Sequence, residues 1–287
     1  MSLTEGILFG IVAMVTWGVS DFYLKKVTDK LGSLRTLFWL GVVQTIPLSF
    51  YFLLNLGTYS AIGNYLWLFI LSVFLDFMGY LFFLKAVKKG SISIIAPVSS
   101  AWVIPAVIIS IIFLNEIITT YQAIAISLTI VGIFLASIKF SDIKKMNLNK
   151  LLPGVPEDLI SVMFFGVNLP LLGFLISKTN WFLPILFVRT GQMIIAFFYN
   201  VIKSQDLKIK GNVIMPLILA GLTSVAGFIA WSNGVNLQKV AIVTPIAAAF
   251  PFITVILARI FYKEKIELVQ KLGIIGTVLG IILLSIV

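Results

Sequence analysis

The chain has 287 residues, of which 60% are hydrophobic and 11% charged. Soluble domains carry roughly 25% charged residues, so this composition predicts a protein embedded in a lipid bilayer. Cysteine and histidine are absent, which excludes disulfides, thiol catalysis and thiolate or imidazole metal sites. The net charge of +10 does not indicate nucleic acid, because the lysines and arginines lie between apolar runs.

Apolar runs of about 20 residues, the length that crosses a bilayer, recur along the whole chain. They predict ten membrane-spanning helices, over residues 7–24, 36–54, 65–84, 92–114, 120–138, 159–177, 181–202, 212–232, 240–262 and 268–287. The longest polar connection, 139–158, lies at the centre. We therefore divide the chain into a first repeat (1–140), a linker (141–156) and a second repeat (157–287).

The two halves are copies of each other at an offset of 148 residues. Residues 94–138 placed on 242–286 without a gap give 17 identities in 45 positions. The phrases "FLNEIITTYQ" (113–122) and "FYKEKIELVQ" (261–270) show the match most clearly. Each copy holds five helices, an odd number, so the second copy crosses the membrane in the inverted sense. The predicted fold is all-α, with ten transmembrane helices in two inverted five-helix repeats.

The charges of the connections between helices predict the orientation of the chain in the membrane, independently of the internal repeat. Of the 21 lysines and arginines, 18 lie in alternate connections, within 25–35, 85–89, 139–150, 203–210 and 259–271. The positive-inside rule assigns these connections to the cytoplasm. The sequence therefore predicts a multi-pass protein of the cell membrane, with a cytoplasmic linker and both termini outside.

Each half resembles an EamA-type domain of the drug/metabolite transporter superfamily. The stretch "TWGVSDFYLKK" (16–26) is similar to that domain's first-helix Trp-Gly signature. The stretch "AVKKGSISIIAPVSSAWVIP" (86–105) is similar to its turn between the third and fourth helices, and the repeated phrases resemble its end. Arg189 matches the arginine of the domain's second helix, where the first copy has Gly41. The second copy also departs from the signature, with Phe165 in place of the tryptophan.

The resemblance implies a permease that moves a small organic metabolite by alternating access, with the bilayer and that solute as partners. Family members move amino acids, sugars, nucleotide precursors or cationic compounds, often outward and linked to a proton or ion gradient. No phosphate loop, nucleophile elbow or metal-ligand cluster occurs in the sequence, so we expect neither an enzyme nor a cofactor. The alternatives are a carrier of sugars or other neutral solutes and a structural or lipid-handling membrane protein.

Charged side chains deep inside a span are rare and commonly functional, because insertion costs roughly 2.5–3.5 kcal/mol. Asp76 is the deepest acid, and Tyr80 lies one turn further on the same face. Arg189 is the one cation well inside a span, and Gln192, three residues later, is a further candidate for contacting the substrate. Asp76 is a candidate for binding a substrate ammonium group or a coupling proton, and Arg189 a candidate for binding a carboxylate or phosphate. Equally, the two could neutralise each other for structural reasons.

Asp21 is a second candidate for ion coupling, and it shares a helix face with Trp17. Its alternative is an i,i+4 ion pair with Lys25 at the end of the span. Other polar and aromatic side chains are candidates for lining the substrate cavity as amide contacts or walls. They are Asn168, Phe228, Trp231 and Trp102.

Glu116 and its copy Glu264 stand just before the next helix along the chain. A carboxylate there can accept the free N–H groups of that helix, so we favour a structural role over ion coupling. Pro97 and Pro245 also correspond between the copies. With Pro105 and Pro251, they predict kinks in the fourth and ninth spans beside the cavity.

Overall fold

A computed structural model describes residues 3–55, 63–90, 92–137, 153–209, 211–262 and 268–286. These residues form helices and short connections, without any strand among them. Ten successive helical segments are numbered α1 to α10, two of them in halves. They are α1 Leu3–Leu31, α2 Ser33–Leu54, α3 Leu66–Lys89, α4a Ile92–Ser99, α4b Val103–Phe113, α5 Thr120–Ser137, α6 Val155–Lys178, α7 Leu183–Ile202, α8 Gly211–Leu237, α9a Val240–Ala247, α9b Phe250–Tyr262 and α10 Leu268–Ile286.

The predicted set of ten helices is confirmed. Seven segments are long and apolar enough to cross a bilayer by themselves, and three shorter apolar helices accompany them, at Ser100–Phe113, Thr120–Leu135 and Lys271–Leu284. Large apolar side chains stand exposed along many of the helices, among them Phe50, Leu54, Phe198 and Ile112. Lipid tails are as apolar as these side chains, so this surface is suited to contact the hydrocarbon core of a bilayer.

The fourth and ninth helices are each broken at corresponding places. A 3-10 turn, Ser100–Trp102, separates α4a from α4b, and a turn at 248–249 separates α9a from α9b. These breaks fall where the prolines predict kinks. Pro105 and Pro251 lie in the first turn of the second halves, where a missing N–H leaves no helical hydrogen bond unmade.

The helices pack chiefly against helices of the other repeat. Helix α1 packs on α8 and, in the equivalent arrangement, α3 packs on α6. Helix α2 packs on its own copy α7, and α5 packs on its own copy α10. The buried core is therefore the interface between the two repeats, and neither repeat has a large core of its own.

Glycines allow α5 and α10 to lie in close contact. A side chain at Gly132 would collide with the backbone of Thr277, and one at Gly280 would come within 2.7 Å of the Thr129 backbone nitrogen. Small residues at such crossings are how membrane helices gain van der Waals contact. These two helices thus form a tight pair at the edge of the bundle.

Candidate functional site

A cavity lies between the two repeats, near the middle of the helices, with a volume of about 60 Å³. Its polar lining consists of Ser20, Asp21, Asp76, Tyr80, Ser99 and Ser224. Its apolar lining consists of Trp17, Phe83, Trp102, Phe165, Leu169, Phe228 and Phe250. None of these residues belongs to α2 or α7, which pack against each other.

Asp76 and Arg189 form an ion pair that is almost completely buried. The Arg189 Nη2 group donates to Asp76 Oδ1, and both side chains are 1% exposed. Asp76 Oδ2 has no hydrogen-bond partner among the described residues, although Asp76 lines the cavity. One carboxylate oxygen is therefore engaged by the protein, while the other is left without a donor.

Arg189 is held from the side by aromatic rings and does not itself line the cavity. Its guanidinium carbon lies 4.3 Å from the ring centroid of Phe228 and 5.1 Å from that of Tyr80. Cation–π contacts of this kind stabilise a desolvated guanidinium. The arginine thus acts on the cavity through Asp76, Phe228 and Tyr80, which are lining residues.

Asn168 supports the same pair from α6. It accepts a hydrogen bond of 2.6 Å from the Ser72 hydroxyl, and its Nδ2 donates to Asp76 Oδ1 at 3.4 Å. Gln192, three residues after Arg189, is fully buried. Neither its amide nitrogen nor its amide oxygen has a hydrogen-bond partner among the described residues. Asn168 and Gln192, both predicted to contact substrate, lie behind the lining and not in it.

Aromatic side chains form much of the cavity wall. Trp17 makes edge contacts with Phe228 and Trp102, at ring-centroid distances of 5.0 Å and 6.3 Å. The Tyr80 hydroxyl lies 3.4 Å from the Ser224 hydroxyl. Trp231 differs from the predicted arrangement, because it is completely buried, faces Thr244 at 3.3 Å and is not among the lining residues.

Asp21 lines the cavity and does not pair with Lys25, so the predicted i,i+4 alternative is wrong. The Lys25 ammonium instead donates to Asp29 at 2.9 Å and to the carbonyl oxygens of Val87 and Gly90. Asp29 lies one turn after Lys25 in α1. It is more exposed than Asp21, so a hydrated lysine ammonium group can reach it more easily. Asp21 is 8% exposed.

Asp158 is a buried acid that the sequence analysis missed. We assigned it to the polar central connection, but it lies in the first turns of α6 and is 0% exposed. The Ser99 hydroxyl lies 2.7 Å and 2.9 Å from its two carboxylate oxygens. Pro156 near the helix start and the acids that follow it are a common helix N-terminal signature, which could have revealed this position.

Glu116 caps a helix, but not the next one along the chain as predicted. Its two carboxylate oxygens accept the N–H groups of Val240 and Ala241, each at 2.8 Å, at the start of α9a in the other repeat. The next helix, α5, has its own capping box, in which Thr119 and Gln122 bond to each other's backbone N–H at 3.1 Å. Burial raises the pKa of Glu116, while the two N–H donors and Lys239 oppose that rise. Glu264 lies outside the described residues.

The comparisons with known proteins cover nearly all of the chain. The profile of the EamA-like transporter family matches residues 4–138 and 154–286, once for each repeat. A known crystal structure superposes with a TM-score of 0.74 over 99% of this chain and 97% of its own, at 12% sequence identity. At that identity the likeness shows the shared fold alone.

One relative is similar to a single repeat. An uncharacterized protein of Methanocaldococcus jannaschii is 34% identical over 131 residues, which cover 45% of this chain and 93% of that protein. That relative therefore has about the length of one five-helix repeat.

Proposed function

Because the chain belongs to the EamA-like transporter family, we propose that it is a secondary transporter that moves a small, amine-bearing organic metabolite across the cell membrane by alternating access. The observation that carries this proposal is the charge of the cavity region. Among the described residues, three acids are buried, Asp21, Asp76 and Asp158, against one buried cation, Arg189. A solute with a positive charge would offset that excess.

The cavity wall supports the same class of solute. A cation in contact with Trp17, Trp102 or Phe228 would meet the negative faces of aromatic rings. Asp76 Oδ2 would accept the ammonium group, because its partner oxygen is already held by Arg189 and Asn168. In this assignment Arg189 orients Asp76 and offsets its charge, and Asn168 positions its carboxylate. Asp21 remains available for a coupling proton or ion.

A second candidate is a carrier of sugars or other neutral solutes. The closed Asp76–Arg189 pair favours it, since a pair that neutralises itself needs no ionic ligand. In that case the hydroxyl groups of Ser20, Tyr80 and Ser224 would bind the solute, and its flux would not respond to the loss of the Asp76 charge.

Substrate counterflow in proteoliposomes tests the proposal. Purified protein is screened with labelled amines, amino acids, sugars and nucleosides. We expect saturable flux of an amine, and we expect Asp76→Asn to abolish it. Asp29→Asn is the matched control, because Asp29 lies on an exposed part of α1 and pairs only with Lys25 among the described residues.

The alternatives give different results. Amine flux that survives in Asp76→Asn would contradict the assigned role of Asp76. Saturable flux of a neutral solute alone would establish the second candidate. A folded protein with no flux of any class would favour a structural or lipid-handling role.

A further inference from the structure

Asp21 is a buried acid that faces the cavity without a partner. It is 8% exposed and lies toward the end of the predicted span 7–24, ten residues before the end of α1. No described residue forms an ion pair or hydrogen bond with its carboxylate. An isolated carboxylate in such a place is unfavourable unless a positive charge or a proton accompanies it.

A second buried acid, Asp158, lies behind the cavity wall, where it accepts the Ser99 hydroxyl. Ser99 connects the two positions, because it lines the same cavity as Asp21 and donates to the Asp158 carboxylate. Three helices, α1, α4a and α6, thus supply two carboxylates and one hydroxyl, of which Asp21 and Ser99 line the cavity and Asp158 lies behind Ser99. These groups offer oxygen ligands only.

The nearby cations are already engaged elsewhere. Lys25 bonds to Asp29 and two backbone carbonyls, Arg189 bonds to Asp76, and Lys89 pairs with Glu157. The N-terminal dipole of α6 favours the Asp158 charge, because Asp158 lies in the first turns of that helix. No helix terminus serves Asp21. The N-terminus of α6 therefore explains how the charge of Asp158 is stabilised, but it does not explain the burial of Asp21.

We propose that Asp21, Asp158 and Ser99 form a binding site for one monovalent cation, H⁺ or Na⁺, distinct from the Asp76–Arg189 pair. A proton bound by either acid would remove one of the two negative charges, and a sodium ion would offset them through hard oxygen ligands. As a binding site it stands on these three residues alone. As the site that couples transport to an ion gradient, it rests on the function proposed above.

The site has a defined electrostatic surrounding. The titratable and charged groups on the elements around Asp21 and Asp158 include Tyr80, Asp76 with Arg189, Lys25 with Asp29, and Lys89 with Glu157. The same elements also carry Lys26, Lys30, Lys85 and Lys88, and none of these forms an ion pair with Asp21 or Asp158 among the described residues. Asp21 and Asp158 are therefore the positions to neutralise by mutation.

Tryptophan fluorescence of the purified full-length protein, without any organic solute, tests the site. Trp17 lies one turn from Asp21 and lines the same cavity, so a cation there should change the emission. In one arm, sodium chloride replaces potassium chloride at constant ionic strength and alkaline pH. In the other arm, the sodium-free protein is titrated with acid. Saturation with sodium identifies Na⁺, and a change with pH alone identifies H⁺.

We expect Asp21→Asn and Asp158→Asn each to abolish the response, Ser99→Ala to weaken it, and Asp29→Asn to leave it unchanged. Size-exclusion profiles show which variants fold; if Asp158→Asn does not, Asp21→Asn and Ser99→Ala still decide the question. A response that persists in Asp21→Asn, or native protein that responds to neither ion, would overturn the proposal. Because no organic solute is used, that failure would leave the flux experiment and its conclusion untouched.

Discussion

The buried charges lie where the two repeats differ in sequence. At the offset of 148 residues, Asp76 corresponds to Ser224 and Arg189 corresponds to Gly41. The other two buried acids follow the same rule, since Asp21 corresponds to Leu169 and Asp158 to Gly10. The duplicated scaffold thus carries charges that are not duplicated, and the cavity is chemically asymmetric.

Arg189 depends on Asp76 for its only ion pair among the described residues. Its Nε and Nη1 groups have no hydrogen-bond partner there. We expect Asp76→Asn to lower the free energy of unfolding by about 3–5 kcal/mol, because it leaves a buried guanidinium uncompensated. In the double variant Asp76→Asn with Arg189→Met, most of the lost stability should be recovered, but amine flux should not. Thermal unfolding of the three proteins in detergent measures the stability.

The outcome of this pair of variants separates stability from function. Equal destabilisation of the single and double variants would contradict the dependence of Arg189 on Asp76. Recovery of stability together with flux would show that the pair serves structure alone.

Several residues that the sequence singles out as site candidates line the cavity, and one buried acid, Asp158, was not among the candidates. Asp76, Tyr80, Asp21 and Trp17 lie in apolar runs, where a polar or aromatic side chain stands out, and all four line the cavity. Asp158 adjoins Glu157 in a polar stretch, so hydropathy assigned it to a connection. Arg189 also stands out in its run, but only the packing of α7 shows that it reaches the cavity through Asp76.

At the scale of elements, the repeated phrase has two separate structural uses. Glu116 caps α9a of the opposite repeat, and Gln122 closes the capping box of its own helix. A sequence pattern alone favours the nearest helix as the partner of a capping acid. The actual partner is 124 residues away along the chain, which follows from the packing of the repeats and is invisible in local spacing.

The Glu116 cap should depend on pH. Its raised folded-state pKa means that the native protein holds this proton more tightly than the unfolded chain does. Proton binding by Glu116 therefore adds to the free energy of unfolding. This contribution is fully present below the ordinary pKa of 4.5 and is lost as the pH rises through the pKa of Glu116 in the folded protein. Glu116→Ala and Thr119→Ala should each cost about 1 kcal/mol. The loss for Glu116→Ala should be larger at mildly acidic than at alkaline pH, by thermal unfolding at both.

Thr119→Ala removes a cap without a titratable group and serves as the control. Its effect should be the same at both pH values. A Glu116→Ala effect that is equal at both, or greater at alkaline pH, would contradict the prediction.

The contact between α5 and α10 gives a comparison within one helix. A Cβ at Gly280 would lie 2.7 Å from the Thr129 nitrogen and 2.9 Å from the Ala125 carbonyl oxygen, both backbone atoms. At Gly276 the nearest atom would be 3.6 Å away. We expect Gly280→Ala to destabilise the protein by about 1–3 kcal/mol, and Gly276→Ala to be neutral or slightly stabilising. Thermal unfolding of the two variants should show this order, and the reverse order would refute the described packing.

The number and order of helices followed from hydropathy and the internal offset, but their ends did not. Helix α1 was predicted over 7–24 and extends from Leu3 to Leu31. Hydropathy marks where the bilayer ends, whereas backbone hydrogen bonds carry the helix past that point. Lys25 and Asp29 thus lie on a helix, which is why they can pair at i,i+4.

At the scale of the whole molecule, the orientation in the membrane stays a prediction from the loop charges. The chain has no cysteine, so single cysteines give clean labelling. We expect Ser204→Cys and Lys178→Cys to react with a membrane-impermeant maleimide from opposite sides, Ser204→Cys from the cytoplasm. Both positions are exposed: Lys178 is the last residue of α6, before α7, and Ser204 lies in the connection after α7. Labelling from the same side would contradict the fold, and the opposite polarity would contradict only the outward termini.

The relative of single-repeat length offers a contrast in architecture. Two identical five-helix chains would have to meet as an antiparallel pair to reproduce this interface between repeats. Such a pair would present each charge twice. Fusion of the repeats in one chain is what permits Asp76 and Arg189 to occur once each, on opposite sides of the interface.

The uneven charge of the cavity region also bears on membrane voltage. With Asp21, Asp76 and Asp158 ionised and Arg189 charged, the empty protein holds two net negative charges inside the bilayer. A unit charge that crosses the full field gains or loses about 2.3 kcal/mol per 100 mV. In a carrier that alternates between two faces, each cation taken up would cancel part of this charge. The return of the empty form, more than the passage of the loaded one, would then feel the electrical potential of the cell.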